Sequence, residues 1–193
     1  MKYGAKYIRW AMMRVENPGE GTGPTYMGSI SLGGLQKVTD SPSYNEAKGY
    51  EDDGLAVHVN EFNECSVDVE IGDLANEVAA AVLGAELQEG EDLRFRAADN
   101  AAEGGLAFYI SKMKKGNIKS YQGIFYPTLK AAMQGQEYTG KAGSITLAND
   151  KLHFLARACD GYDGAWKIQS KDFETEAEAK AWVDEKLPAE ATA

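Results

Sequence analysis

Residues 63–84 constrain the fold of this chain more than any other stretch. From residue 65 to residue 71 apolar and polar side chains alternate strictly, which is typical of a strand with one buried and one solvated face. The following residues predict a short helix that is capped by Asp73 and ends at Gly84. Its apolar residues share one stripe: Leu74, Val78, Ala81 and Val82. Because such a stripe needs an apolar surface, we predict a helix lid on a strand-rich body.

Length and charge limit the classes of function. The chain has 193 residues, a formal net charge of −10 and a pI near 4.7. An acidic surface argues against wrapping nucleic acid, although repulsion would suit a passage through which nucleic acid slides. Two cysteines, Cys65 and Cys159, are too few for a disulfide scaffold and are predicted to be free thiols. The N-terminal residues lack the apolar segment of a signal peptide, and no apolar run is long enough to span a membrane.

The first half of the chain predicts several strands and one long polar connection. Residues 2–15 are aromatic and β-prone, and residues 26–32 and 35–39 read as further strands separated by glycines. Residues 40–53 are polar and have no period. A connection of that length is predicted to be a loop, either ordered by a partner or simply disordered at the surface.

The second half predicts two hairpins and a helix. Strands are expected over residues 105–112 and 118–126, with Pro127 ending the second, and over residues 144–148 and 152–158. A final helix over residues 175–187 begins with a capping box and ends before Pro188. Its apolar face carries four residues: Ala179, Trp182, Val183 and Leu187.

These elements predict a mainly β fold, a sandwich or barrel of antiparallel sheets, with a flanking α-helix and a C-terminal helix. Residues 1–160 are predicted to form the β domain. Residues 161–193 are predicted to form an appendage that contains the C-terminal helix.

Side chains able to do chemistry are sparse in this sequence. His58 and His153 have no metal-ligand spacing to other residues, and Cys65 lies on the apolar side of its alternating strand. The Asp-Gly clusters near residues 52–54 and 160–164 lack the ligand series of a calcium loop. No phosphate-binding glycine loop or nucleophile elbow is present. We therefore expect no enzyme, no cofactor and no metal site.

The order of these features resembles the major tail tube proteins of long-tailed, non-contractile (siphovirus) bacteriophages. The resemblance rests on five stretches in order: residues 2–7 (KYGAKY), 26–35 (YMGSISLGGL), 50–54 (YEDDG), 82–84 (VLG) and 105–127. It covers most of residues 1–160, and residues 131–141 depart from it. Each motif alone has low specificity, so the resemblance depends on their order.

This resemblance implies a structural virion protein whose copies form hexameric rings that stack into a tube. It implies as partners other copies of the chain, the tape-measure protein, the tail tip and terminator proteins, and genomic DNA that passes through the lumen without specific binding. No membrane is involved, and the protein would be made in the bacterial cytoplasm. Two alternatives stay open: a secretion-system or bacteriocin tube subunit of the same fold, and a monomeric β-sandwich binding module.

Two sets of residues are candidates for these roles. On the alternating strand Asp68 and Glu70 point away from the apolar side, so they could line an acidic lumen, joined by Glu137. The long polar loop could reach a neighbouring ring and bury its aromatic residues there. Its candidate residues are Tyr44, Tyr50, Glu51, Asp52 and Asp53.

Overall fold

The computed structural model describes residues 1–15, 23–51, 54–88, 92–132 and 149–189. Within these ranges the chain is mainly antiparallel β with two α-helices, which confirms the predicted fold class. The strands are β1 (Lys2–Val15), β2 (Thr25–Tyr26), β3 (Ile30–Ser31), β4 (Leu35–Glu51), β5 (Gly54–Ile71), β6 (Glu86–Leu87), β7 (Leu93–Arg94), β8 (Glu103–Lys114), β9 (Ile118–Ala132), β10 (Asp150–Ala156) and β11 (Ile168–Phe173). The helices are α1 (Asn76–Leu83) and α2 (Glu176–Lys186), and a 3₁₀ turn covers Asp160–Tyr162.

One curved sheet dominates the molecule. Its order is β2-β1-β8-β9-β10-β5-β4, with β3 beside β1 and β11 beside β9, while β6 and β7 pair separately. β1 also lies close to β4, near the opposite end of this order. The sheet therefore curls around one core, to which β1, β5, β8, β9 and β10 all contribute buried side chains. This arrangement is that of a sandwich or partly open barrel.

The alternation in residues 65–71 is confirmed as the final part of β5. Cys65, Val67, Val69 and Ile71 are all fully buried in the core, whereas the residues between them are partly exposed. β5 pairs with β10 on one side and with β4 on the other, so its backbone is bonded along both edges. β5 therefore lies between β10 and β4 in the sheet.

Helix α1 is confirmed, but its predicted N-cap is wrong. Ala75 takes the N-cap position and makes no side-chain cap, while the Leu74 N–H donates to Asp150 Oδ2 at 2.8 Å. This contact with the start of β10 anchors the chain before the helix, so Asp73 is not needed as a cap. The predicted end is correct: Gly84 adopts φ 72° and its N–H donates to the Ala80 carbonyl.

The predicted loop over residues 40–53 is wrong for its described part. β4 continues to Glu51 and pairs with β5 along this whole segment, from Asp40 opposite Val67 to Glu51 opposite Gly54. The sequence lacks period-two apolar alternation here because most of this segment is solvated on both faces. Backbone hydrogen bonding to β5, and not the burial of one face, makes this segment a strand.

Pro127 does not end β9, which continues to Ala132. The proline lies where β9 changes partners: β11 pairs with β9 up to Phe125, and β10 pairs with it from Leu129. The register with β8 also shifts between Gly104 and Leu106, across from this point. A missing N–H is tolerated at such an irregularity.

Helix α2 has the predicted capping box. The Glu178 N–H donates to Thr175 Oγ1 at 3.3 Å, and the Thr175 N–H donates to Glu178 Oε2 at 3.0 Å. The helix covers the face of β8 and β9 that points away from the main core. The second core cluster that results contains seven buried residues: Ala11, Ala107, Tyr109, Phe125, Ala179, Val183 and Leu187.

The predicted C-terminal appendage is thus packed on its own chain. β11 hydrogen-bonds to β9 in the main sheet, and α2 packs beside it. Trp182 lies against Gly123 of β9, whose missing Cβ makes room for the indole ring. The division into two domains at residue 160 remains a prediction.

Candidate assembly surfaces

The most exposed element is a ribbon formed by residues 43–51 of β4 and 54–62 of β5, which we call the arm. All the described side chains of residues 43–48 and 58–61 are exposed. Over these residues the ribbon therefore has solvent on both faces. An isolated two-stranded ribbon is only marginally stable in water, so its stability depends on contacts at its base or with another molecule.

A bulge separates the arm from the body. Ser43 is opposite Glu64 and Tyr44 is opposite Phe62, so Asn63 is an extra residue on β5. Such a bulge bends the strand and increases its twist. It allows β5 to continue from the core into the arm while its direction changes.

Four aromatic rings hold the base of the arm. Tyr44 meets Phe62 edge to face with centroids 5.9 Å apart, and Phe62 stacks on Trp166 at 5.1 Å. Trp166 in turn lies 6.3 Å from Tyr126, a fully buried residue of β9. The arm is therefore anchored to the core through the segment that precedes β11.

An ion pair strengthens this base. Lys167 Nζ donates to Asp40 Oδ2, which also accepts from the Tyr126 hydroxyl at 3.0 Å. Burial alone would raise the pKa of Asp40, but the hydrogen bond and charge of Lys167 hold it below its ordinary value. Burial, together with the Asp40 charge, raises the pKa of Tyr126, which therefore stays protonated as the donor.

The two faces of the arm differ in character. On one face Glu46 lies 3.4 Å from Lys48 and 3.8 Å from His58. On the other face Ala47 is opposite Val59, whose side chain is 42% exposed. The second face also carries the pair Asn45 and Glu61, so the arm presents one exposed apolar pair among polar residues.

Asp68 and Glu70 point away from the core, as predicted, on the surface that we call the β5–β10 face. His153 Nδ1 lies 2.7 Å from Asp68 Oδ1, and Lys37 Nζ lies 3.8 Å from Glu70 Oε1. Lys151 is the cross-strand partner of Glu70 in the ladder. The carboxylates are therefore interspersed with cationic side chains, and the face is not uniformly acidic.

The other predicted candidates are placed only in part. Tyr44 is 47% exposed at the base of the arm, where it packs on Phe62. Tyr50 and Glu51 belong to the end of β4. Glu137, Asp52 and Asp53 lie outside the described residues. Lumen and inter-ring roles for all of these residues remain predictions.

A cleft of about 400 Å³ lies where the curled sheet fails to close. One wall is the start of β1 and the other is residues 36–40 of β4, with core residues of β8 and β9 as the floor. The residues that line it include four charged ones, of which Lys37 directs its ammonium group to Glu70 and Lys167 donates to Asp40: Lys2, Lys37, Asp40 and Lys167. Sequence reasoning missed this cleft because its walls are far apart in the chain and no local pattern joins them.

No cluster of three or more His, Cys, Asp or Glu side chains able to hold a metal is found within the described ranges. In the same part of the chain no helix is long and apolar enough to cross a membrane. A scan against protein-family models and a search of the curated proteins each find no match to this chain.

Proposed function

We propose that this chain is the major tail tube subunit of a long-tailed, non-contractile bacteriophage, and that its copies form six-membered rings that stack into a tube. The arm carries this proposal. Residues 43–48 and 58–61 of this ribbon have solvent on both faces, and such a ribbon gains stability when it packs on a neighbouring subunit. The resemblance in residues 1–160 supports the same class.

The free edge of β4 supports ring formation. Among the described residues β4 pairs only with β5, so one side of a 17-residue strand is left without a ladder partner. An exposed edge of that length is a template for pairing with another chain. A closed ring would protect this edge in each of its copies.

The position of α2 supports one orientation of the subunit. The helix occupies one face of β8 and β9, whereas neither α1 nor α2 shares a core cluster with the outward side chains of the β5–β10 face. In the proposed tube the β5–β10 face lines the bore, and α2 lies on the outside. The interspersed charges of the β5–β10 face, in a chain of net charge −10, would let DNA slide without specific binding.

The proposed partners follow from this arrangement. DNA and the tape-measure protein pass through the bore, and the tail tip and terminator proteins bind the two ends of the tube. The subunit acts in the virion and catalyses no reaction.

Measurement of molar mass against concentration tests the proposal. Light scattering of the purified 20.9 kDa chain should show a six-copy species and larger stacks as the concentration rises. A mass that stays at one copy over the accessible range of concentration and salt would contradict it and favour a monomeric binding module. Rings that never stack would favour the secretion-system or bacteriocin alternative.

A further inference from the structure

We propose that residues 2–6 of β1 form a strap over the main core, that α2 holds this strap closed, and that release of α2 opens it. Neither segment belongs to the arm, so the coupling is a property of the single chain whether or not copies form tubes. The open strap would uncover the apolar floor of the cleft and the edge of β8 with which the strap pairs.

Among the described residues, the sheet holds the strap along one edge only. Residues 2–6 pair with β8, whereas β2 and β3 pair with later residues of β1, between Arg9 and Val15. The residues of the strap are exposed, apart from Ala5, which is partly buried. Little apolar burial therefore stabilises the strap, and segments of this kind can open locally while the rest of the fold stays closed.

Two bulges also interrupt the ladder between β1 and β8. The register shifts at Gly4, whose φ is 58°, and again at Tyr7, whose φ is 56°. Glycine adopts this left-handed conformation readily, but tyrosine does so only at a cost in free energy. Contacts outside the ladder have to offset the cost at Tyr7.

Helix α2 supplies contacts of this kind, which we call the clasp. The Tyr7 hydroxyl donates to Asp184 Oδ1 at 2.7 Å, and Lys180 Nζ lies 4.7 Å from the centroid of the Tyr7 ring. Near the start of the helix, Glu176 Oε1 accepts from Lys6 Nζ at 3.4 Å. Burial, together with the bond to Asp184, raises the pKa of Tyr7, so its hydroxyl remains a donor.

The three clasp residues of α2 lie on one stripe of the helix. Glu176, Lys180 and Asp184 are spaced four residues apart, so their side chains share one side of the helix. The apolar residues of α2 are buried against β8 and β9. Because the same helix packs on the sheet and bonds to the start of β1, α2 cannot leave the sheet while the strap stays clasped.

The strap forms one wall of the cleft. Phe108, Ile110 and Ile124 belong to the floor and are buried while the strap is in place. Ala5 lies opposite Ile110 in the ladder, so departure of the strap would expose apolar side chains together with unpaired N–H and C=O groups of β8. Docking of α2 on the outer face of the sheet thus controls access to the core from the inner face.

Hydrogen exchange of the full chain tests this coupling. The clasp variant E176A/D184A removes both carboxylate acceptors, and alanine favours the helix. Exchange of the amides of residues 2–6 should become at least roughly tenfold faster, while exchange in β5 and β10 stays at the wild-type rate. The control E174A/E185A makes the same charge change at two exposed residues and should leave the strap protected.

Removal of single hydroxyl groups gives a milder test. Y7F keeps the strained backbone and loses the bond to Asp184, so exchange of residues 2–6 should become roughly fivefold faster. D184A added to Y7F should cause little further increase, because both substitutions remove the same bond. The control Y121F removes a hydroxyl that bonds to none of the described residues and should leave the strap protected.

Two outcomes of the exchange measurement would overturn the proposal. One is wild-type exchange of residues 2–6 in the clasp variant. The other is an equal acceleration in residues 2–6, β5 and β10, because the strap would then open only with the whole fold. If the clasp variant does not fold, Y7F decides between the same outcomes.

An apolar dye tests whether the floor of the cleft becomes exposed. Anilinonaphthalene sulfonate becomes fluorescent on exposed apolar surface, so its fluorescence should be at least roughly threefold higher with the clasp variant than with the wild type or the control E174A/E185A. Faster exchange of residues 2–6 without any gain in dye fluorescence would overturn the claim that the strap covers the floor.

Discussion

Phe62 and Trp166 stack face to face, with ring centroids 5.1 Å apart and an interplanar angle of 8°. Phe62 belongs to β5 where the arm leaves the body, and Trp166 precedes β11 in the C-terminal segment. The pair therefore joins the proposed assembly element to the segment that leads into β11. Neither residue is fully buried, and the adjacent Asp40–Lys167 ion pair adds a second contact at the base of the arm.

Removal of either ring should loosen the base of the arm. We expect F62A and W166A each to lower the free energy of unfolding by about 1–3 kcal/mol, less than for fully buried aromatics. The double variant should reveal a coupling of about 0.5–1.5 kcal/mol. Denaturant unfolding of the four proteins measures this cycle. The control F95A removes a ring that is 48% exposed and should cost less than about 0.5 kcal/mol.

Removal of the arm should abolish assembly and leave the body folded. Residues 45–61 can be replaced by Asn-Gly, because Tyr44 and Phe62 are opposite each other and a two-residue turn can join them. The variant should keep its near-UV circular dichroism and remain a single copy by light scattering. Normal rings or tubes from this variant would show that the arm is not an assembly element.

Acid should weaken the Asp40–Lys167 pair. Because the folded-state pKa of Asp40 is below its ordinary value of 3.8, the pair stabilises the fold fully above that pH, and this stabilisation is lost as the pH falls through the folded pKa. D40N should cost about 1–3 kcal/mol at pH 7 and progressively less below pH 3.8. Chemical unfolding at a series of pH values measures the difference. D73N, at an exposed carboxylate that caps no helix, should show little cost at any pH. A D40N cost that did not change with pH would contradict this role of the pair.

A methyl group at Gly123 should disturb the packing of α2. An ideal Cβ there would lie 2.1 Å from Trp182 Cε3, so G123A forces the indole ring or the helix to move. We expect a loss of about 1–3 kcal/mol in unfolding free energy and a shift in tryptophan fluorescence. The control G34A adds a methyl group with nothing within 4 Å and should be nearly neutral. Equal effects of the two substitutions would contradict the observed packing of α2.

Charge reversal on the β5–β10 face should increase the retention of DNA by the tubes. D68K/E70K adds lysines next to Lys37 and Lys151, and a bore lined by this face would then retain DNA that the wild type releases. Co-sedimentation of labelled DNA with preformed tubes measures retention, which should fall as salt is added. K115E/K119E, at exposed residues of the β8–β9 turn and the start of β9, serves as an exposed-site control. Tubes that bind DNA no better than the wild type would place this face outside the bore.

The sequence predicts those elements in which local pattern and burial agree. Val67 and Val69 alternate with polar residues because β5 has one buried face here, and Thr175 with Glu178 forms a cap that depends only on neighbouring residues. The C-cap at Gly84 is equally local. Such features need no knowledge of the tertiary fold.

Features that depend on distant partners could not be predicted. The strand character of residues 40–51 comes from pairing with β5, and the Leu74 contact with Asp150 replaces a local cap. The cleft likewise requires the start of β1 and residues 36–40 of β4, far apart in the chain, to lie on two sides of one opening. The candidate carboxylates Asp68 and Glu70 were predicted to point outward, but their neighbours His153 and Lys37 come from β10 and β4.

Negative-stain electron microscopy of the purified wild-type chain at high concentration tests the tube proposal most directly. We expect tubes of uniform width with a central hole, built of stacked six-membered rings, and no tubes from the arm-replacement variant under the same conditions. Separate particles of single-copy size at every concentration and salt tested would contradict the proposed function.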